Sequence, residues 1–326
     1  MANADTPTDL PKQSWFKVLK STVRQFNRDN LTDWAAALTY YGVLSLFPAI
    51  IVVTSLLAML GPSATQTLVD NVNDLLPADT AKVVTEAISG LQQNSGVAGP
   101  LAIIGLLGAL WTASGYVAAF MRASNSIYEM PEGRPVWKTL PVRVGLTTVV
   151  VVLLTVCVLG IAATGAVAER LGSALGIGST GVLIWEIAKW PVIALIVSLV
   201  FAFLYWAAPN VRHPSFRWLS PGGILAVVLW VVASAGFGFY VANFGSYNKT
   251  YGSLGGIIAF LVWLWISNIA VLLGAELDAE LVRAKAIAEG KTTDAKVDDD
   301  DPVLPPRDTR AFDDADRAQV PDTSTR

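Results

Sequence analysis

One cysteine and one histidine are all that this 326-residue chain holds of two reactive residue types. Cys157 has no second thiol to pair with, so it forms no intrachain disulfide and reads as a small apolar filler. His213 alone excludes a multi-histidine metal site. The chain has no Gly-rich phosphate loop, no HExxH, no GxSxG and no Cys/His cluster. It therefore reads as a non-enzyme with no cofactor and no bound metal, and ATP hydrolysis by this chain alone is unsupported. Charge is scarce as well, at 15% of residues against about 25% in a soluble domain. No signal peptide is apparent: the first apolar run starts after residue 33, is too long for an h-region and lacks a cleavage site.

Apolar residues fill the space, at 53% of the chain. Residues 34–69, 87–121, 144–168, 190–211, 218–248 and 250–275 each lack Asp, Glu, Lys and Arg. Soluble helices place charge on one face at 3.6 spacing, and β-barrel strands alternate apolar with polar; these runs do neither. About 20 residues at 1.5 Å rise cover the hydrocarbon core. The fold class expected is therefore all-α: a polytopic membrane protein with a six-transmembrane-helix bundle. Spans are placed at about 38–60, 97–120, 141–167, 183–207, 219–242 and 254–278.

The basic residues give a direction. Of 23 Lys and Arg, 19 fall in the N-terminal segment, the second-to-third and fourth-to-fifth connections, and the tail. The positive-inside rule then puts both termini in the cytoplasm. Residues 1–13 read as disordered, 14–284 as the membrane domain, and 285–326 as a disordered acidic cytoplasmic tail rich in Asp and Pro. Residues 14–30 carry Trp15, Phe16, Leu19, Val23 and Phe26 on one helical face and Lys17, Lys20, Arg24 and Arg28 on another. That pattern fits an N-terminal amphipathic interfacial helix, or a helix packed on a cytoplasmic loop. Residues 63–93 read as two short amphipathic helices in the first outer loop.

Polar groups in or beside the spans are where chemistry could sit. Asn268 is the deepest amide and bonds either a neighbouring helix or a substrate. Glu276 stands at the end of the last span with Asp278 and Glu280 behind it. Glu276 and Glu280 share a face, and Asp278 points elsewhere. A carboxylate at a helix C-terminus is disfavoured by the macrodipole, so a partner is expected from Arg122, Arg134 or Arg143. It reads as a buried salt bridge or a coupling-ion site. The GxxxG at Gly252 and Gly256, and the pair Ser234 and Gly238, fit close helix packing.

Four stretches then carry a resemblance: AAALTYYGVLSLFPAI (35–50), RASNSIYEMPEGRPVWK (122–138), FLYWAAPNVRHPSFRWLSPGGILAVVLW (203–230) and YGSLGGIIAFLVWLWISNIAVLLGAEL (251–277). In this order the chain resembles the YihY/BrkB family of bacterial inner-membrane proteins, which carries an old ribonuclease BN label. The resemblance implies a six-helix bundle in the cytoplasmic (inner) membrane with both termini inside. It maps the family pattern onto Ser45 and Pro48, Asn125 and Arg134, Pro209 and Asn210, Pro221 and Gly222, and Tyr251, Gly252, Gly274 and Glu276.

Three classes of function follow. A transporter of a lipid-like or amphipathic envelope substrate would use a cavity lined by Asn125, Arg134, Asn268 and Glu276, the substrate and coupling candidates. A non-transporting envelope scaffold would hold envelope protein partners or further copies of the chain. A ribonuclease would need paired carboxylates or His and Lys in a basic groove; the short loops, lone His213 and acidic tail argue against it, and against a nucleic-acid partner. Membrane lipids are the partner expected in every case.

Overall fold

A backbone in hydrocarbon must satisfy its own hydrogen bonds, and a helix does so within one segment. The protein follows that rule. This computed structural model describes residues 12–59, 95–162, 178–213, 218–243, 253–289 and 304–311, with residues 168, 172, 173 and 216 between them. Among these the regular structure is helical, apart from one isolated β-bridge between Val211 and Pro306. The helices are α1 (Lys12–Arg28), α2 (Leu31–Met59), α3 (Ser95–Ile127), α4 (Val136–Ala162), α5 (Ser179–Ala207), α6 (Pro221–Asn243) and α7 (Ser253–Ala288). The expected helices of residues 63–93, and Tyr251 and Gly252, lie outside the described residues.

The six-span reading is corrected to four. Among the described residues, Val136–Cys157, Thr180–Ala207, Pro221–Tyr240 and Gly255–Ala288 are long and apolar enough to cross a membrane. The other two expected spans fall in α2 and α3. Of these two runs the described side chains cover only a part, and that part interleaves hydroxyls with apolar residues. The described side chains of α2 end at Ser45 and include, within the expected span, Thr39, Tyr40 and Tyr41. In α3 the described part of the expected span carries Thr112, Ser114 and Tyr116. Pro48 falls within α2. The four spans keep large apolar side chains outward, such as Val152, Leu183, Ile187, Val232 and Phe239. Water would penalise so continuous an apolar surface, whereas lipid tails accept it. Within α5, Glu186 and Lys189 pair with each other across one turn, so the span carries no net charge.

The chain divides into two compact units. The first comprises Met1–Trp34, Phe120–Val231 and Ile269–Arg326; the second comprises Ala35–Ala119 and Val232–Asn268. The first unit gathers the basic connections that the charge count assigns to the cytoplasm. In it α4 packs along α5. Helix α1 buries Val18, Thr22, Gln25 and Phe26, with Val18 against Leu277 and Leu281 of α7, and leaves Phe16, Leu19 and Val23 exposed. It is thus docked on the protein along one face.

The start of α6 meets the end of α7 at a glycine pair. Ser220 caps α6 by accepting the Gly223 N–H at 2.9 Å, and Pro221 takes the first helical position, where its missing N–H costs nothing. Asp278 of α7 accepts the Gly222 N–H at 2.7 Å, a carboxylate at a helix N-terminus as the macrodipole prefers. That approach leaves no room for a side chain. A Cβ on Gly222 would lie 2.0 Å from the Gly274 carbonyl oxygen, and one on Gly274 would lie 2.4 Å from the Gly222 oxygen. Gly256 is different, with nothing within 4 Å of a Cβ placed there.

Gly274→Ala is therefore expected to cost about 1–3 kcal/mol through forced backbone movement, read as a lowered thermal midpoint of the detergent-solubilised protein. Gly256→Ala should be neutral or stabilising by up to about 1 kcal/mol. Equal midpoints for the two variants would contradict the crossing.

Candidate functional site

The C-terminal half of α7 carries Glu276, Glu280 and Arg283 at positions i, i+4 and i+7, so all three share one face. The Arg283 guanidinium donates to Glu280 at 2.6 Å and to the Ile127 carbonyl at 2.8 Å. It also faces Glu129 at 3.2 Å and Glu276 at 3.6 Å. Glu276 is 0% exposed, and among the described residues neither of its oxygens has a hydrogen-bond partner. Asp29, just after α1, lies near enough to add its field at Glu276. Three carboxylates thus share one guanidinium in a buried setting. Such a surplus of negative charge is expensive unless something balances it.

Glu129 reaches this cluster through an unusual backbone. Helix α3 ends in a Schellman arrangement, with the Met130 N–H donating to the Asn125 carbonyl at 2.9 Å and the Glu129 N–H to the Ser126 carbonyl at 3.0 Å. The residue in the left-handed position is normally glycine; here it is Glu129, at φ 51°. A strained residue that delivers a carboxylate to a buried guanidinium is the kind of outlier from which a functional constraint is argued.

A second group joins the end of α5 to the connection between α3 and α4. Arg134 forms a two-pronged pair with Glu132, Nε to Oε1 at 2.6 Å and Nη2 to Oε2 at 2.7 Å. Its guanidinium also donates to the Ala207 and Ala208 carbonyls at 3.3 and 2.7 Å, a basic cap on the α5 C-terminus. Pro209 follows, where it cannot continue the helix. Asn125 donates to Glu132 at 3.0 Å and accepts the Asn210 N–H at 2.7 Å. Asn210, fully buried, donates to the Pro131 carbonyl at 3.2 Å. Both Asn125 and Arg134 are engaged by protein atoms.

Between the groups Tyr128 meets His213 edge to face, with ring centroids 5.3 Å apart. Burial pushes the Tyr128 phenol up; Asp278 and Glu276 push it further, and Arg283 pulls it back. His213 is lowered from 6.5 to about 4, by burial first and by the Arg307 charge second, while a backbone hydrogen bond at Tyr205 opposes the change. Both rings are neutral near pH 7.

Asn268 belongs to the second unit. It accepts from the Tyr116 hydroxyl at 2.8 Å and donates to Thr39 at 3.1 Å, and Thr39 donates on to the Ala35 carbonyl at 2.8 Å. This amide ties α7 to α2 and α3. Asn125 and Arg134 meet through Glu132, whereas Glu276 has separate partners. The guanidinium opposite Glu276 comes from its own helix and from none of Arg122, Arg134 or Arg143. Arg283 was missed because the last span was ended at 278; extending the periodicity five residues would have found it. Among the described residues, no group of three or more His, Cys, Asp or Glu is arranged to hold a metal ion.

A family model described as virulence factor BrkB matches residues 22–299. YfkH of Bacillus subtilis, which its name calls ribonuclease-like, is 33% identical over 256 residues, covering 78% of this chain and 91% of its own. A UPF0761 membrane protein of Alkalilimnicola ehrlichii is 34% identical over 256 residues, but that match spans only 55% of the relative's length. A UPF0761 membrane protein of Pseudoalteromonas atlantica is 28% identical over 298 residues, 91% of this chain and 95% of its own. No solved structure matches the chain.

Arg283→Met removes the guanidinium that faces Glu129, Glu276 and Glu280 and is expected to destabilise the protein by about 3–5 kcal/mol, with part of the loss recovered by adding Glu280→Gln. Thermal unfolding of the single and double variants checks this. His213, the sole histidine, should titrate by NMR with a midpoint of about 4, and Arg307→Gln should raise that midpoint. A folded-state value below the unfolded one means that acid favours the unfolded chain. His213 therefore lowers stability as pH falls from 6.5 to about 4, with no further loss from this group below that.

Proposed function

The chain belongs to the BrkB family of multi-pass cytoplasmic-membrane proteins, and from that premise we propose that it translocates a lipid-like or amphipathic envelope substrate, with Glu276 as the proton-carrying group. The observation that carries this reading is the fully buried Glu276 carboxylate, without a hydrogen bond among the described residues and facing a guanidinium already committed to Glu280 and the Ile127 carbonyl. An ionisable residue held within a membrane helix is by default a functional candidate. A proton on Glu276 would offset the surplus negative charge. The donor groups favour a proton over a metal ion, since no metal-like arrangement is found among the described residues.

The proton has a mechanical consequence in this proposal. With Glu276 charged, Arg283 is drawn toward three carboxylates at once. With Glu276 neutral, Arg283 is left to Glu129 and Glu280. Those two residues belong to the turn after α3 and to α7, so the charge state of Glu276 biases how firmly these elements are held together. Asn125 and Arg134 are assigned a structural part, fixing the end of α5. The apolar outward faces of the four spans suit a substrate that stays in contact with lipid. The ribonuclease-like name of the Bacillus relative has no observation in its favour here: His213 is neutral and packed against Tyr128.

Reconstituted liposomes test the reading. The unaltered protein should move a fluorescent lipid analogue between leaflets faster than empty liposomes do, and a proton gradient should change that rate. Glu276→Gln should fold and insert but lose the response to the gradient. Equal rates for protein, variant and empty liposomes would remove the proposal.

A further inference from the structure

The polar group around Asn210 has an occupant from a distant part of the chain. Residues 304–311 lie along the turn that follows α5. The Arg212 N–H donates to the Pro305 carbonyl at 2.9 Å, and the Arg307 N–H donates to the Asn210 carbonyl at 2.9 Å, so Val211 and Pro306 face each other as an antiparallel bridge. In this register the Pro306 nitrogen points away from its neighbour, so proline there forfeits no ladder bond. The Asn210 side chain extends the pairing. Its Oδ1 accepts the Asp308 N–H at 3.1 Å, and its Nδ2 donates to the Asp308 carbonyl at 2.9 Å. Farther along, the Ala311 N–H donates to the Gly133 carbonyl at 3.0 Å.

Side chains add selectivity to this backbone reading. Lys138 donates to the Asp308 carboxylate at 2.7 Å, and Arg310 pairs with it at 2.7 Å. Arg307 donates to the Trp206 carbonyl at 2.9 Å and lies over the Trp206 ring, 5.3 Å from its centre. The groove residues lie inside the family-matched range of 22–299, and the segment that fills the groove lies beyond it.

We propose that the Asn210 turn, the 131–134 loop and Lys138 form a recognition groove for an extended peptide, and that residues 304–311 are its tethered ligand, bound within the same chain. Backbone pairing along the turn gives the grip, as in peptide recognition by strand addition. The Pro-Arg-Asp order of residues 306–308 gives the specificity: proline at the non-bonded position, arginine on Trp206, aspartate on Lys138. The tail then acts as a removable staple between the α5 terminus and the connection leading into α4. The proposal stands apart from the translocation reading, since it uses neither Glu276 nor Arg283.

Paired cysteines at positions 211 and 306 test it in the full chain. A non-hydrogen-bonded antiparallel pair sets its Cα atoms about 4.5 Å apart, within disulfide reach. Val211→Cys/Pro306→Cys, in a Cys157→Ala background, should form an intrachain disulfide under mild oxidation. Adding Asp308→Ala should slow that reaction by about tenfold, as should an excess of a synthetic peptide covering residues 304–311, while the same peptide with Asp308→Ala should not. No cross-link, cross-links only between chains, or a rate indifferent to both changes would overturn the proposal. Hydrogen exchange in the native chain gives an independent reading. The amides of Arg212, Arg307, Asp308 and Ala311 should exchange slowly, and faster after Asp308→Ala; fast exchange in the unaltered chain would also overturn it.

Discussion

One buried guanidinium shared by three carboxylates sets the terms for the first unit. Arg283 draws Glu129 from the turn after α3, Glu276 and Glu280 from its own helix, and the Ile127 carbonyl into one place. Buried ions are tolerated only when paired and hydrogen-bonded, so this arrangement fixes the end of α7 against the end of α3. It also dictates local backbone. Glu129 occupies a left-handed conformation that glycine would take at less cost, because only a side chain there can reach the guanidinium.

The same stretch of α7 is held from its other faces. Gly274 lets the α6 start approach to backbone contact, Asp278 caps that start, and Leu277 and Leu281 receive α1. Successive residues of two helical turns therefore answer to different partners. A change of charge at Glu276 acts on an element whose every face is engaged, and this is what lets a single proton matter mechanically in the proposed cycle.

Much of the helical frame was legible in the sequence, because charge-free runs and basic connections are direct consequences of a bilayer. The number of spans was not: among the described residues four helices are long and apolar enough to cross, and the described parts of α2 and α3 interleave hydroxyls with apolar side chains. That Glu276 and Glu280 share a face while Asp278 turns away followed from helical spacing, and the structure has that arrangement. Its cation was sought in the loops because the helix was ended too soon. Contacts between Asn125 and Asn210, or Asn210 and Asp308, join residues far apart in the chain, and no periodicity encodes them. The tail shows the limit of composition: Asp- and Pro-rich sequence argues for disorder, while residues 304–311 make specific contacts and α7 continues to Ala288. Sequence spacing also offered no sign that a glutamate would sit where a glycine belongs at the end of α3.

In the proposed cycle a proton on Glu276 balances the buried cluster. Infrared spectroscopy of the membrane-embedded protein at neutral pH reads this directly, through the C=O stretch of a protonated carboxyl group. Such a band is expected in the unaltered protein, shifted by deuterium exchange and missing from Glu276→Gln. A spectrum with ionised carboxylate bands alone, or a protonated band that persists unchanged in Glu276→Gln, would contradict it.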